Sequence, residues 1–156
     1  MCVTELLSRT HVKIPLRGGT RDEVIDELVT LVAADGAVAD SEAARQAVLE
    51  RERAGSTGIG HGFALPHAKL PELERCVLAL GRTAEPVDFG SADEKPVTLV
   101  VLLLAPAGDT SAQVQILARL SRLFEQEDLR RRLNRAASGD EVVRLLQEYE
   151  ALIAAA

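Results

Sequence analysis

The residues of this chain best equipped for chemistry lie between Arg51 and His67, in the stretch RERAGSTGIGHGFALPH. His67 is a candidate nucleophile, because an imidazole with an ordinary pKa of about 6.5 is mostly neutral near pH 7 and offers a lone pair. Pro66, directly before it, fixes one backbone dihedral and would help hold the ring in one orientation. The run from Gly55 to Gly62 carries four glycines in eight positions, so its backbone turns tightly or approaches something closely. Successive N–H groups in such a loop can converge into a concavity of partial positive charge that suits a phosphate, with Ser56 and Thr57 adding hydroxyl donors. Two plainer readings stay open at this point: an ordinary helix-to-strand loop, and a histidine that merely sits in a turn. The nucleoside-triphosphate pattern GxxxxGK[ST] is absent. A metal centre is not expected, since His61 and His67 lie six apart, His11 is remote and no third ligand stands nearby.

Two polar residues fall where helical spacing calls for apolar ones. Ala44, Ala47, Val48 and Arg51 follow i, i+3, i+4, i+7, which predicts Arg51 on an inward stripe. A guanidinium there needs an anion or several acceptors, or else it snorkels outward. Gln113, Leu117, Leu120 and Phe124 repeat in the same way, which predicts Gln113 inward in the first turn of its helix, where N-termini attract anions. Backbone hydrogen bonding is the plainer role for that amide. Arg130, Arg131, Arg132 and Arg135 form the one basic run; they fan around a helix as a solvated face, or dock an acidic or phosphorylated partner.

These residues need a scaffold, and the pattern supplies one. Thr20 with Glu23 makes a capping box opening a helix to about Ala34, and a second helix runs from Asp40 to Arg53, with Asp40 or Ser41 as its cap, before Gly55 stops it. Val12 to Leu16 reads as an edge strand, because Pro15 cannot donate to a central ladder. Short strands are predicted at Phe63 to Pro66 and Cys76 to Leu80. Val97 to Ala105 is apolar at nearly every position, as a strand covered on both faces must be. Asp109 or Thr110 opens a third helix reaching Phe124, and Leu129 to Ala137 forms a fourth. Ser138 with Glu141 caps a fifth through Tyr149, and Ala154 to Ala156 reads as a frayed end. Strands in the middle and helices at both ends predict an α/β layered fold, a mixed sheet flanked by helices in one domain over residues 1–156.

The 156 residues are 47% hydrophobic, enough for a sizeable core, since a chain of this length buries about 68–70% of its unfolded surface. The net charge of −6 and 3% aromatic content argue against nucleic-acid binding. Two cysteines without paired spacing suit a reducing compartment. The longest apolar run, Leu99 to Ala107, falls far short of the ~20 residues that span a bilayer, and the first residues hold no signal-peptide core. A cytoplasmic protein without membrane insertion is the expectation.

The stretch ending at His67 resembles the active-site segment of enzyme IIA domains of the bacterial phosphoenolpyruvate-dependent sugar phosphotransferase system. The fructose/mannitol class is the nearer branch, particularly its nitrogen-regulatory form. The resemblance takes in LLAPAGDT (Leu103 to Thr110) and DLRRRLNRAASGDEVV (Asp128 to Val143), and covers the chain from about Val3 to Glu148. It implies a mannitol-type enzyme IIA fold, a mixed five-stranded or similar sheet with His67 in a shallow cleft. By the same resemblance, His67 accepts a phosphoryl group from a histidine-containing phosphocarrier protein, and Arg51 neutralises its charge. Ser56, Thr57, Gly58, Ile59 and Gly60 cradle the group, without a cofactor. Two positions depart from the pattern: Gln113 stands where a second histidine is common, and His61 where the regulatory branch usually shows Asn. His61 is expected to supply the donor that a neutral Gln113 supplies weakly. The implied activity is that of a phosphotransferase, acting on a IIB domain or on a regulatory target. A stand-alone IIA subunit of a fructose/mannitol-type uptake system and a binding module switched by phosphorylation are the alternatives. A zinc hydrolase on His61 and His67 is a weaker one.

Overall fold

A strand without a polar face must be covered on both sides, and the fold is organised around one. In the computed structural model, which describes residues 2–155, β6 (Val97–Pro106) is buried at every position except Thr98 and Pro106. Its alternate side chains enter two separate cores. Leu99, Val101 and Leu103 face one, and Val100, Leu102 and Leu104 face the other. The period of two along a pleated strand makes that division.

Around β6 lie β1 (Val12–Leu16), β2 (Gly58–Gly60), β3 (Phe63–Ala64), β4 (His67–Leu70) and β5 (Val77–Val87). The sheet order is β1-β5-β6-β3-β2, with β4 also paired to β6. β5 runs antiparallel to β6, whereas β1 is parallel to β5, and β3 and β4 are both parallel to β6. This is the expected mixed sheet, with six strands, and β1 with its Pro15 lies at an edge. β3 and β4 behave as one strand interrupted at Leu65 and Pro66, so the predicted strand at Phe63 to Pro66 is split and His67 opens the second half.

Helices α1 (Arg21–Ala34) and α2 (Ser41–Ala54) cover one face. The other is covered by α3 (Thr110–Phe124), α4 (Glu127–Leu133) and α5 (Gly139–Ala155). Their starts follow the caps read in the sequence. Glu23 N–H donates to Thr20 Oγ1 at 3.2 Å, Ala43 N–H to Asp40 Oδ1 at 3.1 Å, and Ala112 N–H to Asp109 Oδ1 at 3.0 Å. At the fifth helix Glu141 N–H donates to Ser138 Oγ at 3.2 Å, while the Glu141 carboxylate accepts from Ala137 N–H at 2.8 Å, one residue before the cap. α5 continues through Ala155, so Ala154 and Ala155 are helical rather than frayed; Ala156 lies outside the described residues.

Arg82 explains two differences from the sequence pattern. It sits mid-strand in β5, where a charge breaks the apolar run and hides the strand's length beyond Leu80. Its guanidinium donates to Leu133 O at 3.0 Å and Ala136 O at 2.7 Å, satisfying carbonyls at the end of α4. That helix therefore ends at Leu133, not Ala137.

Candidate active site

β4 alternates where β6 does not: Ala68 and Leu70 are buried, His67 is half-buried and Lys69 is exposed. His67 and Lys69 thus share the face that opens on a cleft of about 560 Å³, lined by Ala47, Glu50, Arg51, His67, Ala68, Lys69 and Gln113. The end of α2 forms one wall and the first turn of α3 another.

The His67 ring is held through Nδ1, 2.8 Å from Leu65 O. A carbonyl oxygen only accepts, so Nδ1 carries the proton, and in the neutral ring the lone pair lies on Nε2. Burial pushes the pKa of His67 below its ordinary 6.5, and the nearby Arg51 charge pushes the same way; the Leu65 hydrogen bond and the Glu52 carboxylate push back. The net lowering keeps the ring neutral, the form a nucleophile requires.

Arg51 reaches the cleft differently from the sequence expectation. It is exposed, and Nη1 donates to Gly55 O at 2.8 Å, at the cleft's rim. The inward stripe of α2 is Ala44, Val48 and Glu52, with the polar residue one position later than predicted. Glu52 is 2% exposed, and its carboxylate accepts from Thr57 N–H at 2.9 Å (Oε2) and from Thr57 Oγ1 at 2.9 Å (Oε1). A buried carboxylate is tolerable when satisfied in this way.

That arrangement changes the part played by Ser56 to Gly60. Thr57 N–H is committed to Glu52, Gly58 N–H to Ser56 Oγ at 3.0 Å, and Ser56 Oγ donates to Phe89 O at 2.5 Å. Ile59 turns its side chain outward, 51% exposed. None of Ser56, Thr57, Gly58, Ile59 or Gly60 lines the cleft, so the expected nest of free amides is not formed there. Gly58 is glycine for a different reason, since a Cβ would collide with Ser91 Oγ. The loop works as a support: Thr57 O accepts from Leu65 N–H at 3.0 Å, and Leu65 O in turn holds His67. Glu52 is thereby linked to the catalytic candidate through Thr57 and Leu65.

His61 also departs from expectation. It occupies the left-handed region at φ 58° between Gly60 and Gly62, with its N–H donating to Asp93 Oδ2 at 2.9 Å. It does not line the cleft and so stands apart from the site that Gln113 joins. Gln113 is where the spacing puts it, buried in the first turn of α3 and lining the cleft. Its side-chain amide makes no hydrogen bond among the described residues, in contrast to the backbone-bonding role that was its plainer reading. Lys69 donates from Nζ to Thr110 Oγ1 at 2.9 Å. Sequence reasoning missed Glu52 and Lys69, although α2's spacing admits Glu52 as i+4 from Val48, and the strand period puts Lys69 beside His67.

The other singled-out groups are used elsewhere. His11 bridges Leu78 O at 3.0 Å and Asp35 Oδ2 at 2.5 Å, tying the approach to β1 onto α1 and β5. Arg130 donates to Phe124 O at 2.5 Å, Arg131 pairs with Asp128, and Arg132 donates to Tyr149 Oη at 3.3 Å. Three of the four arginines of the basic run thus serve contacts inside the chain. Among the described residues no group of three or more His, Cys, Asp or Glu stands together as a metal site, and no helix is long and apolar enough to cross a membrane.

Residues 5–149 match the family described as phosphoenolpyruvate-dependent sugar phosphotransferase system, EIIA 2. A nitrogen regulatory protein of Bradyrhizobium diazoefficiens is 33% identical over 146 residues, spanning 94% of this chain and 95% of that protein. A fructose-specific EIIABC component of Bacillus subtilis is 35% identical over 150 residues; the match takes in 96% of this chain and 24% of that relative's length. The crystal structure of the nitrogen regulatory protein IIA-Ntr from Neisseria meningitidis superposes with a TM-score of 0.86 at 30% identity, covering 92% of this chain and 98% of that one. Fold and family together define a phosphoryl-transfer component. The chain belongs to the EIIA 2 family of the phosphoenolpyruvate-dependent sugar phosphotransferase system.

Proposed function

We propose that this chain is a single-domain cytoplasmic phosphoryl carrier, loaded on His67 by a histidine-containing phosphocarrier protein and acting in regulation of the nitrogen type. The observation that carries the reading is the His67 ring itself. Nδ1 is occupied by Leu65 O, and Nε2 makes no hydrogen bond among the described residues, in an open cleft beside Arg51. In the transfer, the Nε2 lone pair attacks phosphorus while the P–N bond to the donor's imidazole breaks. The bonding pair returns to the donor ring, which carries a proton on its far nitrogen and so leaves neutral. The His67 proton stays on Nδ1, held by Leu65 O, and the phosphorylated ring becomes the cation. Arg51 faces the charge on the transferred group and Gln113 donates from its amide, the positioning and charge stabilisation that phosphoryl transfer asks for. Ser56 to Gly60 contribute indirectly, through the Thr57 carbonyl that holds Leu65, and His61 takes no part in the transfer.

Incubation with phosphoenolpyruvate, enzyme I and the phosphocarrier should give an acid-labile phosphate on the native chain and none on His67→Ala. Labelling that persists in His67→Ala contradicts the assignment. A second reading, a IIA subunit serving sugar uptake, is favoured by the fructose-specific EIIABC relative, whose similarity to this chain is as high as that of the nitrogen regulatory protein. Adding purified IIB domains separates the readings: onward transfer supports uptake, whereas phosphate retained on His67 supports a regulatory module whose interfaces switch with the added charge.

A further inference from the structure

The cleft holds a second cation that the transfer as described above does not use. Residues two apart on a strand present their side chains on one face, about 6.6 Å apart along it. His67 and Lys69 stand in that relation on β4, with Ala68 and Leu70 turned into the core between and beyond them. Lys69 spans to the opposite wall, where Nζ donates to Thr110 Oγ1 at 2.9 Å. Gln113 lies three residues further along the same first turn of α3, so the ammonium is tethered to the turn that carries the Gln113 amide. An ammonium has three N–H donors on a flexible four-carbon stem, and the Thr110 bond uses one of them.

The charge balance of the cleft depends on this residue. Its lining carries Arg51 and Lys69 as cations and Glu50 as an anion. The buried Glu52 carboxylate acts on His67 from behind the cleft as well. Without Lys69, Arg51 alone faces two carboxylates and the incoming phosphoryl group; with Lys69, two cations offset them. Arg51 is moreover engaged with Gly55 O at the rim, while Lys69 approaches from the α3 side, so the two cations can meet the group from different directions.

We propose that Lys69 is a catalytic residue of this site, its ammonium contacting a phosphoryl oxygen as the group settles on His67. The inference rests on the phosphoryl-carrier reading above. The test is single-turnover loading of His67 from two donors, the phosphorylated phosphocarrier protein and phosphoramidate, which has no protein surface to dock. Lys69→Met should slow loading by about 10–100-fold with both donors, while Lys69→Arg stays within about threefold of the native chain. Loading of Lys69→Met at the native rate overturns the proposal, as does slowing confined to the protein donor, which assigns Lys69 to docking. Lys69→Arg no faster than Lys69→Met also overturns it. Lys69→Gln repeats the test with the hydrogen bond to Thr110 available and the charge gone. If the native chain takes up no phosphate on His67 from either donor, the carrier reading falls and this inference with it. If the native chain is loaded and Lys69→Met matches it, this inference alone falls.

Discussion

β4 and β6 lie side by side in parallel register, His67 opposite Leu103 and Leu70 opposite Pro106, yet they have opposite characters. β6 is apolar on both faces because helices cover both; β4 is apolar on one face only. The difference comes from what lies above each strand. α2 ends at Ala54 and α3 begins at Thr110, and the space between those ends is the cleft. The buried strand supplies rigidity to its neighbour, and the neighbour can then place a reactive ring where nothing covers it.

Substitutions in the two strands should therefore separate stability from chemistry. The largest effect on function falls on β4: His67→Ala should lose all phosphate uptake while unfolding within about 1 kcal/mol of the native chain in urea, since a half-buried site away from the core tolerates truncation. The largest effect on stability falls on β6. Leu102→Ala should cost about 2–5 kcal/mol in the same measurement, because its side chain is fully enclosed between strand and helices. Loading of the folded fraction of that variant should be unchanged, and a matching loss of rate would mean the two strands do not divide the work in this way.

Arg51→Met comes next. It should slow loading by about 10–100-fold, as expected for one charge-stabilising group. It should also raise the His67 pKa, followed by ring-proton chemical shifts against pH, because the Arg51 charge now pushes that value down. Glu52→Gln should move the same titration downward, since the carboxylate pushes it up. It should also cost about 1–3 kcal/mol through the broken acceptor pair at Thr57. In every case the neutral ring is the reactive one, so loading should fall as pH drops through the His67 pKa, in a window below 6.5. The smallest effect belongs to His61→Ala, expected within about twofold of the native rate because the ring stands outside the cleft. A larger loss would restore it to the site.

The parts of the fold legible in the sequence were those governed by local rules. Thr20, Asp40, Asp109 and Ser138 announce helix starts because caps act over three residues, and β6 announces itself because burial on both faces leaves no alternation. Pro15 marks the edge strand for an equally local reason. The site was half legible. Spacing alone placed Gln113, and the P-H pair singled out His67. The glycine-rich loop misleads because free amides and engaged amides look alike in a sequence, and the group that engages them, Glu52, stands one position beyond the arginine that the spacing puts on the inward stripe. His61 was misplaced for a similar reason, since its left-handed turn and Asp93 anchor depend on a loop more than thirty residues away. Lys69 was overlooked because a charge two residues beyond a proline-histidine pair signals nothing until the strand beneath it is known.

The arrangement stands or falls on which nitrogen takes the phosphate. A long-range proton–nitrogen correlation spectrum of the phosphorylated, nitrogen-15-labelled chain, read with its phosphorus couplings, identifies the atom directly. The account predicts one phosphohistidine, at His67, with phosphorus on Nε2 and the proton retained on Nδ1. Phosphorus on Nδ1, or on any other residue, would contradict it, because the Leu65 carbonyl would then be holding the wrong side of the ring.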